Sequence, residues 1–132
     1  GRLWANVIIH SAINPLSAVL RITNGCLLDH EHSRVLMKQL IDEGVRVATG
    51  CGVELEHFDM WEELISTCTQ SMRSISPMLQ DMLNERPTEI RAQNGALSRL
   101  GREVGVVTPT HDMIVSLVEL IEYWKPGAER RC

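Results

Sequence analysis

Aromatic side chains are scarce in this chain of 132 residues, at 4% of the sequence. A folded core must therefore be built from aliphatic residues and methionine. Lysine is also scarce, because only Lys38 and Lys125 are lysines among the 13 lysines and arginines. The chain has no basic excess, and its formal net charge of −4 argues against a surface that binds nucleic acid. The Arg130-Arg131 pair near the end predicts a solvated tail.

Cysteine pairs of the kind that hold zinc are missing too. Cys26, Cys51, Cys68 and Cys132 form no CxxC motif and have no regular spacing. The pattern predicts neither a zinc site nor a disulfide framework, and reduced thiols indicate a cytoplasmic protein.

We recognise no signal peptide and no apolar run of membrane-spanning length. The chain begins at Gly1 rather than methionine, which we interpret as processing or as a fragment of a longer protein.

Apolar residues recur at helical spacing along the chain, and no useful stretch alternates with the period of a strand. The sequence therefore predicts one all-α domain over residues 1–132, a bundle of about six to seven helices. Caps, prolines and glycines set the expected boundaries. The predicted helical segments are 4–20 (kinked or divided at Pro15), 32–51, 54–72, 77–83 after a Ser76 cap, 88–105, and a last helix from Pro109 that ends before Pro126-Gly127.

Three polar residues, Asn6, His10 and Asn14, follow one another at four-residue intervals in the otherwise apolar first segment. This spacing places their side chains on one face of a helix. Hydrogen bonds inside a helical bundle are one explanation, since buried polar groups need partners. A face turned toward a ligand is the other, and residue spacing leaves both open.

Four motifs occur along the chain in the order Ile13-Asn14-Pro15-Leu16-Ser17-Ala18, Met78-Leu79-Gln80-Asp81, Thr88-Glu89-Ile90 and Asn94-Gly95. Over about residues 2–124 they resemble the C-terminal helical domain of ketopantoate reductase (2-dehydropantoate 2-reductase). The resemblance implies a helical bundle of the 6-phosphogluconate dehydrogenase C-terminal-domain type. It also implies a place in an NADPH-dependent enzyme of pantothenate biosynthesis that reduces a 2-keto acid to a 2-hydroxy acid.

The resemblance assigns roles to the polar face of the first helix. Ketopantoate reductases carry lysine, asparagine and asparagine at this spacing, facing the cleft between their two domains. In this chain Asn6 stands at the position of the lysine, His10 at that of the first asparagine and Asn14 at that of the second. Only Asn14 matches the family's residue. Asn14 and His10 are the implied substrate contacts on this helix. The family's glutamate is retained as Glu89.

Loss of the lysine affects the chemistry, because reduction of a 2-keto acid builds negative charge on the carbonyl oxygen. An ammonium supplies both a proton and positive charge, whereas the amide of Asn6 supplies only a neutral hydrogen bond. His10 is the candidate substitute acid, one helical turn away, with Glu89 as its orienting partner. The family's substrate-binding serine falls at Pro77, and Ser76 beside it is the remaining candidate for that contact.

Other candidate sites are weaker. His30-Glu31-His32 resembles a metal-binding cluster, but a polar turn at a helix start explains it equally well, and we predict no metal site. Gly50-Cys51-Gly52 lacks the preceding strand and the third glycine of a dinucleotide fingerprint, so we predict no cofactor site within the chain. The Rossmann domain that binds NADP(H) in the family is absent from the sequence. His57 and His111 are predicted at surface or first-turn positions.

We therefore expect the substrate-side half of a ketopantoate-reductase-like oxidoreductase, inactive alone and divergent because of Asn6. The alternative is a stand-alone helical binding or dimerisation module descended from such an enzyme. The expected partners are a Rossmann domain in cis or in trans, a small 2-keto acid, and a second copy of the chain. The second copy is expected because large apolar faces seldom stay uncovered. Neither nucleic acid nor a membrane is expected as a partner.

Overall fold

The computed structural model describes residues 1–124. This part of the chain forms six α-helices and one short 3₁₀ helix and contains no strand, which confirms the predicted all-α class. Lys125, Pro126-Gly127, Arg130-Arg131 and Cys132 lie outside the described residues, together with the predictions made for them. The elements are α1 (Arg2–Leu20), the 3₁₀ helix (Asn24–Leu28), α2 (Glu31–Gly50), α3 (Met60–Gln70), α4 (Pro77–Leu83), α5 (Asn94–Val104) and α6 (Pro109–Tyr123).

The first helix, α1, is the centre of the bundle, because it packs against α2, α3, α4, α6 and the 3₁₀ helix. Every residue from Ser11 to Ala18 is buried, so the second half of α1 is enclosed on all sides. The first half buries one side only, through Ala5, Ile8 and Ile9. The predicted polar face therefore begins at the surface and runs into the interior.

By length and composition α1 could also cross a bilayer, with a mean hydropathy of 1.4 over its apolar window. No segment of this kind was expected from the sequence, and that expectation is wrong for the length and composition of α1. Within the fold, 61% of the window is buried against the rest of the chain. An enclosed core helix has the same composition as a membrane span, and burial in the bundle accounts for it here.

The close crossing of α1 and α2 depends on Gly44. A Cβ atom at this position would lie 2.9 Å from Cγ2 of Ile8, closer than side chains pack. The main core lies around this crossing and includes Ile13, Leu40 and Leu64. A second, smaller cluster of buried residues lies at the far end of α1 and consists of Ala18, Met78, Leu79, Ile90 and Val118.

Pro15 does not divide α1, which runs without interruption from Arg2 to Leu20, so the expectation of two helices in series is wrong. Proline has no N–H and cannot donate to the carbonyl group four residues earlier, which is that of Ser11. Nδ2 of Asn94 donates to the Ser11 carbonyl oxygen instead, at 2.8 Å. A hydrogen bond from another element thus supplies the partner that the helix lacks.

Two other helices begin later than predicted. The segment expected from residue 54 becomes helical only at Met60, because Asp59 caps α3 by accepting a hydrogen bond from the Glu62 N–H at 3.1 Å. The segment expected from residue 88 becomes helical only at α5, since Gln93 has a non-helical backbone with φ −98° and ψ −91°. Its predicted end is confirmed, with Gly105 at φ 75°.

Candidate substrate-facing site

The surface part of the polar line consists of Asn6 and His10, both exposed. Nδ1 of His10 lies 2.8 Å from the backbone carbonyl oxygen of Asn6. A carbonyl oxygen only accepts, so Nδ1 carries the hydrogen of this bond. Nε2 is therefore the ring nitrogen left to contact solvent or a ligand.

Asn14, the third residue of the line, is only 4% exposed. Its Nδ2 donates a long hydrogen bond of 3.4 Å to Oε1 of Gln93. The contact joins the middle of α1 to the residues just before α5. Asn14 thus has a hydrogen-bond partner within the bundle, and its contact with a substrate stays a prediction. Asn6 and His10 have the exposure that a ligand contact needs.

Glu89 is exposed in the segment between α4 and α5. That segment is anchored by Thr88, whose N–H donates to Oε1 of Glu122 at 2.8 Å and whose hydroxyl bonds the same oxygen. Among the described residues no direct hydrogen bond or ion pair joins the Glu89 carboxylate to His10. Orientation of His10 by Glu89 stays a prediction.

Ser76 is fully buried at the start of α4. Its Oγ accepts a hydrogen bond from the Leu79 N–H at 3.2 Å and lies 2.7 Å from Oγ of Ser17. The predicted cap, with Pro77 in the first helical position, is confirmed. Because α1 and α4 enclose the hydroxyl, its position does not support the predicted substrate contact.

A buried polar network that the sequence did not reveal lies between α1, α2, α5 and α6. His111 is in the first turn of α6 as predicted, but it is fully buried rather than at the surface. Its Nε2 lies 2.9 Å from the Leu40 carbonyl oxygen and donates to it. Nδ1 is then the acceptor for Nδ2 of Asn94, at 3.0 Å. Burial lowers the pKa of His111, which keeps the ring neutral at neutral pH.

Glu43 of α2 caps the N-terminus of α6. Its two carboxylate oxygens accept hydrogen bonds from the N–H groups of Thr110 and His111, each at 3.0 Å. A carboxylate is favourable at a helix N-terminus, where N–H groups have no partner within the helix. Thr108 occupies the N-cap position of α6, but its side chain makes no capping hydrogen bond. The sequence holds one signal for this buried carboxylate, because Glu43 lies on the otherwise apolar face of α2 that carries Leu40.

Within residues 1–124 no group of three or more His, Cys, Asp or Glu side chains is placed to hold a metal ion. His30 caps α2, with Nδ1 accepting from the His32 N–H at 3.1 Å, as in a polar turn at a helix start.

Two further side chains bear on the chemistry of the chain. Lys38 forms an ion pair with Asp42 at 2.7 Å on α2. Burial raises the pKa of the Cys68 thiol to about 11, so that it stays protonated.

Comparison with known proteins decides the family. A family model described as Ketopantoate reductase PanE/ApbA C terminal matches residues 1–122. The chain belongs to the ketopantoate reductase family. It corresponds to the C-terminal domain of that family, which confirms the predicted resemblance.

Relatives of this ketopantoate reductase domain are longer than the chain. A 2-dehydropantoate 2-reductase from Archaeoglobus fulgidus is 31% identical over 121 residues, which cover 92% of this chain and 40% of the relative. The structure of a ketopantoate reductase from Ralstonia eutropha is similar with a TM-score of 0.88 and 30% identity, over 95% of this chain and 42% of that one. A D-mandelate dehydrogenase with NADH and anilino(oxo)acetate has a TM-score of 0.87 and 26% identity, over 93% of this chain and 68% of that one.

Proposed function

We propose that this chain is the substrate-side helical half of an NADP(H)-dependent reductase of small 2-keto acids, with a divergent proton donor. The observation that carries the proposal is the exposed pair of Asn6, at the position of the family's lysine, and His10, one helical turn further along α1. The relative that carries NADH and anilino(oxo)acetate supports the keto-acid class of substrate, since that ligand also places a carbonyl group beside a carboxyl group.

His10 provides the chemistry in this proposal. The carbonyl oxygen of a 2-keto acid gains negative charge as it is reduced, and a proton must reach it. Nδ1 of His10 donates to the Asn6 carbonyl oxygen at 2.8 Å, which orients the ring. In the imidazolium form Nε2 carries the second hydrogen and delivers it to the carbonyl oxygen, which leaves neutral His10. The Asn6 amide adds a neutral hydrogen-bond donor on the same face, and Glu89 is the proposed carboxylate partner of His10.

In this proposal the nicotinamide cofactor is bound mainly outside the described residues of this chain. Gly50-Cys51-Gly52 ends α2 rather than following a strand, and Gly52 with φ 81° closes that turn. We assign NADP(H) to a Rossmann domain in cis or in trans. The chain covers 40% of its Archaeoglobus fulgidus relative, which leaves length for such a domain in the relative.

The test joins this chain to the N-terminal part of the Archaeoglobus fulgidus relative and follows NADPH oxidation with a panel of 2-keto acids. We expect His10→Ala to lower kcat/KM by about 10² or more, the usual contribution of a positioned general acid. His57→Ala is the matched control, because His57 is exposed outside α1. Full activity of the His10→Ala protein would refute the role of His10.

The stand-alone binding module is the competing proposal, and the loss of the lysine at Asn6 is the observation that favours it. The same fusion separates the two. Asn6→Lys restores the family's donor, so a reductase that diverged only at this position should gain activity. A fusion that binds NADPH but reduces none of the keto acids, with or without Asn6→Lys, would favour the module.

A second copy of the chain is the proposed partner for the outer face of α6. Met113, Leu117 and Leu120 are 65%, 40% and 53% exposed, and their spacing places them on one stripe of the helix. Exposed apolar stripes of this kind usually pack against another surface. Light scattering of the isolated chain should show a dimer, and Leu117→Glu should convert it to a monomer; a monomer before substitution contradicts the proposal.

A further inference from the structure

The hydrogen-bond gap at Pro15 and the buried pair of Asn94 and His111 form one connected unit. Because Pro15 has no N–H, the carbonyl group of Ser11 lacks a donor within α1. Nδ2 of Asn94 fills that position at 2.8 Å from the Ser11 oxygen. Ser11 directly follows His10 in the chain, so this contact fixes the turn of α1 from which His10 projects.

The orientation of the Asn94 amide depends on His111. Nδ2 of Asn94 uses one hydrogen for the Ser11 carbonyl oxygen and the other for Nδ1 of His111, at 3.0 Å. Nδ1 can accept because the ring hydrogen is on Nε2, which donates to the Leu40 carbonyl oxygen at 2.9 Å. Oδ1 of Asn94 is buried and has no hydrogen-bond partner among residues 1–124. The two donations from Nδ2 are therefore what holds the amide in place.

Protonation of His111 is incompatible with this arrangement. With a hydrogen on both ring nitrogens, Nδ1 becomes a donor and faces the donor Nδ2 of Asn94. Rotation of the amide by half a turn would offer Oδ1 to Nδ1, but it would also place Oδ1 against the carbonyl oxygen of Ser11. The unrotated amide keeps its bond to Ser11 only with two donors facing each other, and the rotated amide leaves the Ser11 carbonyl group without its donor.

We propose that Asn94 is a positioning residue for the polar line of α1, that neutral His111 sets its orientation, and that acid releases the Ser11 carbonyl group. The charged groups near the ring are Glu43 of α2 and Asp112 of α6, and both favour its protonation. The neighbours from α1 and α5 are the uncharged Ser11 and Asn94. Burial of the ring outweighs the two carboxylates and keeps His111 neutral at neutral pH.

The consequence for catalysis rests on the proposed reductase function, because release of this turn would move the base of His10. The coupling between protonation of His111 and the Ser11 carbonyl group does not rest on that function. It is a property of the isolated chain and can be measured without cofactor or substrate. A failure of the coupling would leave the reductase proposal standing, and a fusion without activity would leave the coupling standing.

The first test is a titration of the isotope-labelled chain by NMR, from about pH 8 to about pH 4, across the range in which histidine titrates. The carbonyl carbon of Ser11 should shift with the midpoint of the His111 ring and not with that of His10. His111→Gln cannot be charged and keeps an N–H for Leu40, so it should make the Ser11 resonance independent of pH. The control His10→Gln should leave the Ser11 titration unchanged.

Two results would overturn the proposal in this titration. In one, the Ser11 carbonyl resonance stays constant while His111 titrates. In the other, it still titrates in the His111→Gln chain. Because His111 titrates on the acid side of its ordinary range, the chain can unfold before the ring is charged, and a second measurement at neutral pH then decides.

That measurement is hydrogen exchange of the α1 amides. Asn94→Ala should lower the protection of amides around residues 11–16 by about tenfold or more relative to α3. Without Asn94, this turn of α1 can open without breaking the hydrogen bond to the Ser11 carbonyl oxygen. Adding Pro15→Ala should restore protection by giving Ser11 a donor within the helix. Asn84→Ala, at an exposed asparagine, is the control. An equal loss of protection in α1 and α3, or no rescue by Pro15→Ala, would overturn the positioning role.

Discussion

Asn94 and Pro15 should be energetically coupled, although 79 positions separate them in the sequence. Asn94→Ala leaves two buried acceptors without a donor, the carbonyl oxygen of Ser11 and Nδ1 of His111. A buried polar group that loses its partner costs about 1–3 kcal/mol. The substitution also removes the unpartnered Oδ1 of Asn94, which offsets part of the loss. We expect the free energy of unfolding to fall by about 2–4 kcal/mol.

Pro15→Ala should reduce that loss. Alanine at position 15 has an N–H that can donate to the Ser11 carbonyl oxygen, as in any α-helix. In this background Asn94→Ala leaves only Nδ1 of His111 without a donor, so the loss should shrink by about 1–2 kcal/mol. Pro15→Ala alone also makes the unfolded chain more flexible, but this contribution cancels in a double-mutant cycle.

Urea unfolding followed by circular dichroism measures the four proteins of the cycle. With a denaturant slope of about 2 kcal/mol/M, the expected coupling corresponds to about 0.5–1 M in the unfolding midpoint. The control cycle pairs Pro15→Ala with Asn84→Ala, which should be additive. If the Asn94 cycle is additive within about 0.5 kcal/mol as well, Asn94 does not replace the missing helix bond.

Three further predictions concern neighbouring contacts. Glu43→Gln should cost about 2–3 kcal/mol in urea unfolding, because one of its two acceptor oxygens becomes an NH₂ group that faces an N–H donor of α6; a neutral result contradicts the capping role. Gly44→Ala should cost about 1–3 kcal/mol through its contact with Ile8 at 2.9 Å, whereas Gly95→Ala, with its nearest neighbour at 3.4 Å, should be tolerated; equal effects would refute the close crossing. Because the pKa of His111 is lowered in the folded chain, the unfolded chain binds the proton first, so stability is complete above the unfolded value of about 6.5 and falls as the pH drops below it. His111→Gln should reduce that acid-side slope in unfolding curves taken at several pH values, and an unchanged slope counts against the prediction.

Local sequence signals determined much of the helical layout. The apolar period predicted the all-α class, and Ser76 with Pro77 marked the start of α4 because a capping hydroxyl and a proline both satisfy a helix N-terminus. Gly105 marked the end of α5, where a left-handed backbone at φ 75° favours glycine. These signals act within a few residues, so they can be recognised without knowledge of the fold.

Signals that depend on distant partners were missed. The start of α5 was predicted at residue 88, but the segment before the helix contacts α6, where the Thr88 N–H donates to Glu122. His111 in a first turn reads as a surface residue until the chain brings Leu40 and Asn94 against its two ring nitrogens. Neither contact can be recognised from the helix propensity of the residues nearby in the sequence.

The sequence by itself determined the fold class and the family, and it placed Asn6 at the position of the family's lysine. It also placed the polar line on one face, because four-residue spacing is a property of any α-helix. Only the tertiary structure decided that His10 is at the surface while Asn14 is buried, and that α1 continues through Pro15. The physical reason is that burial and the satisfaction of a free carbonyl group depend on which elements pack against a helix. That packing is set by residues as far away in the chain as Asn94.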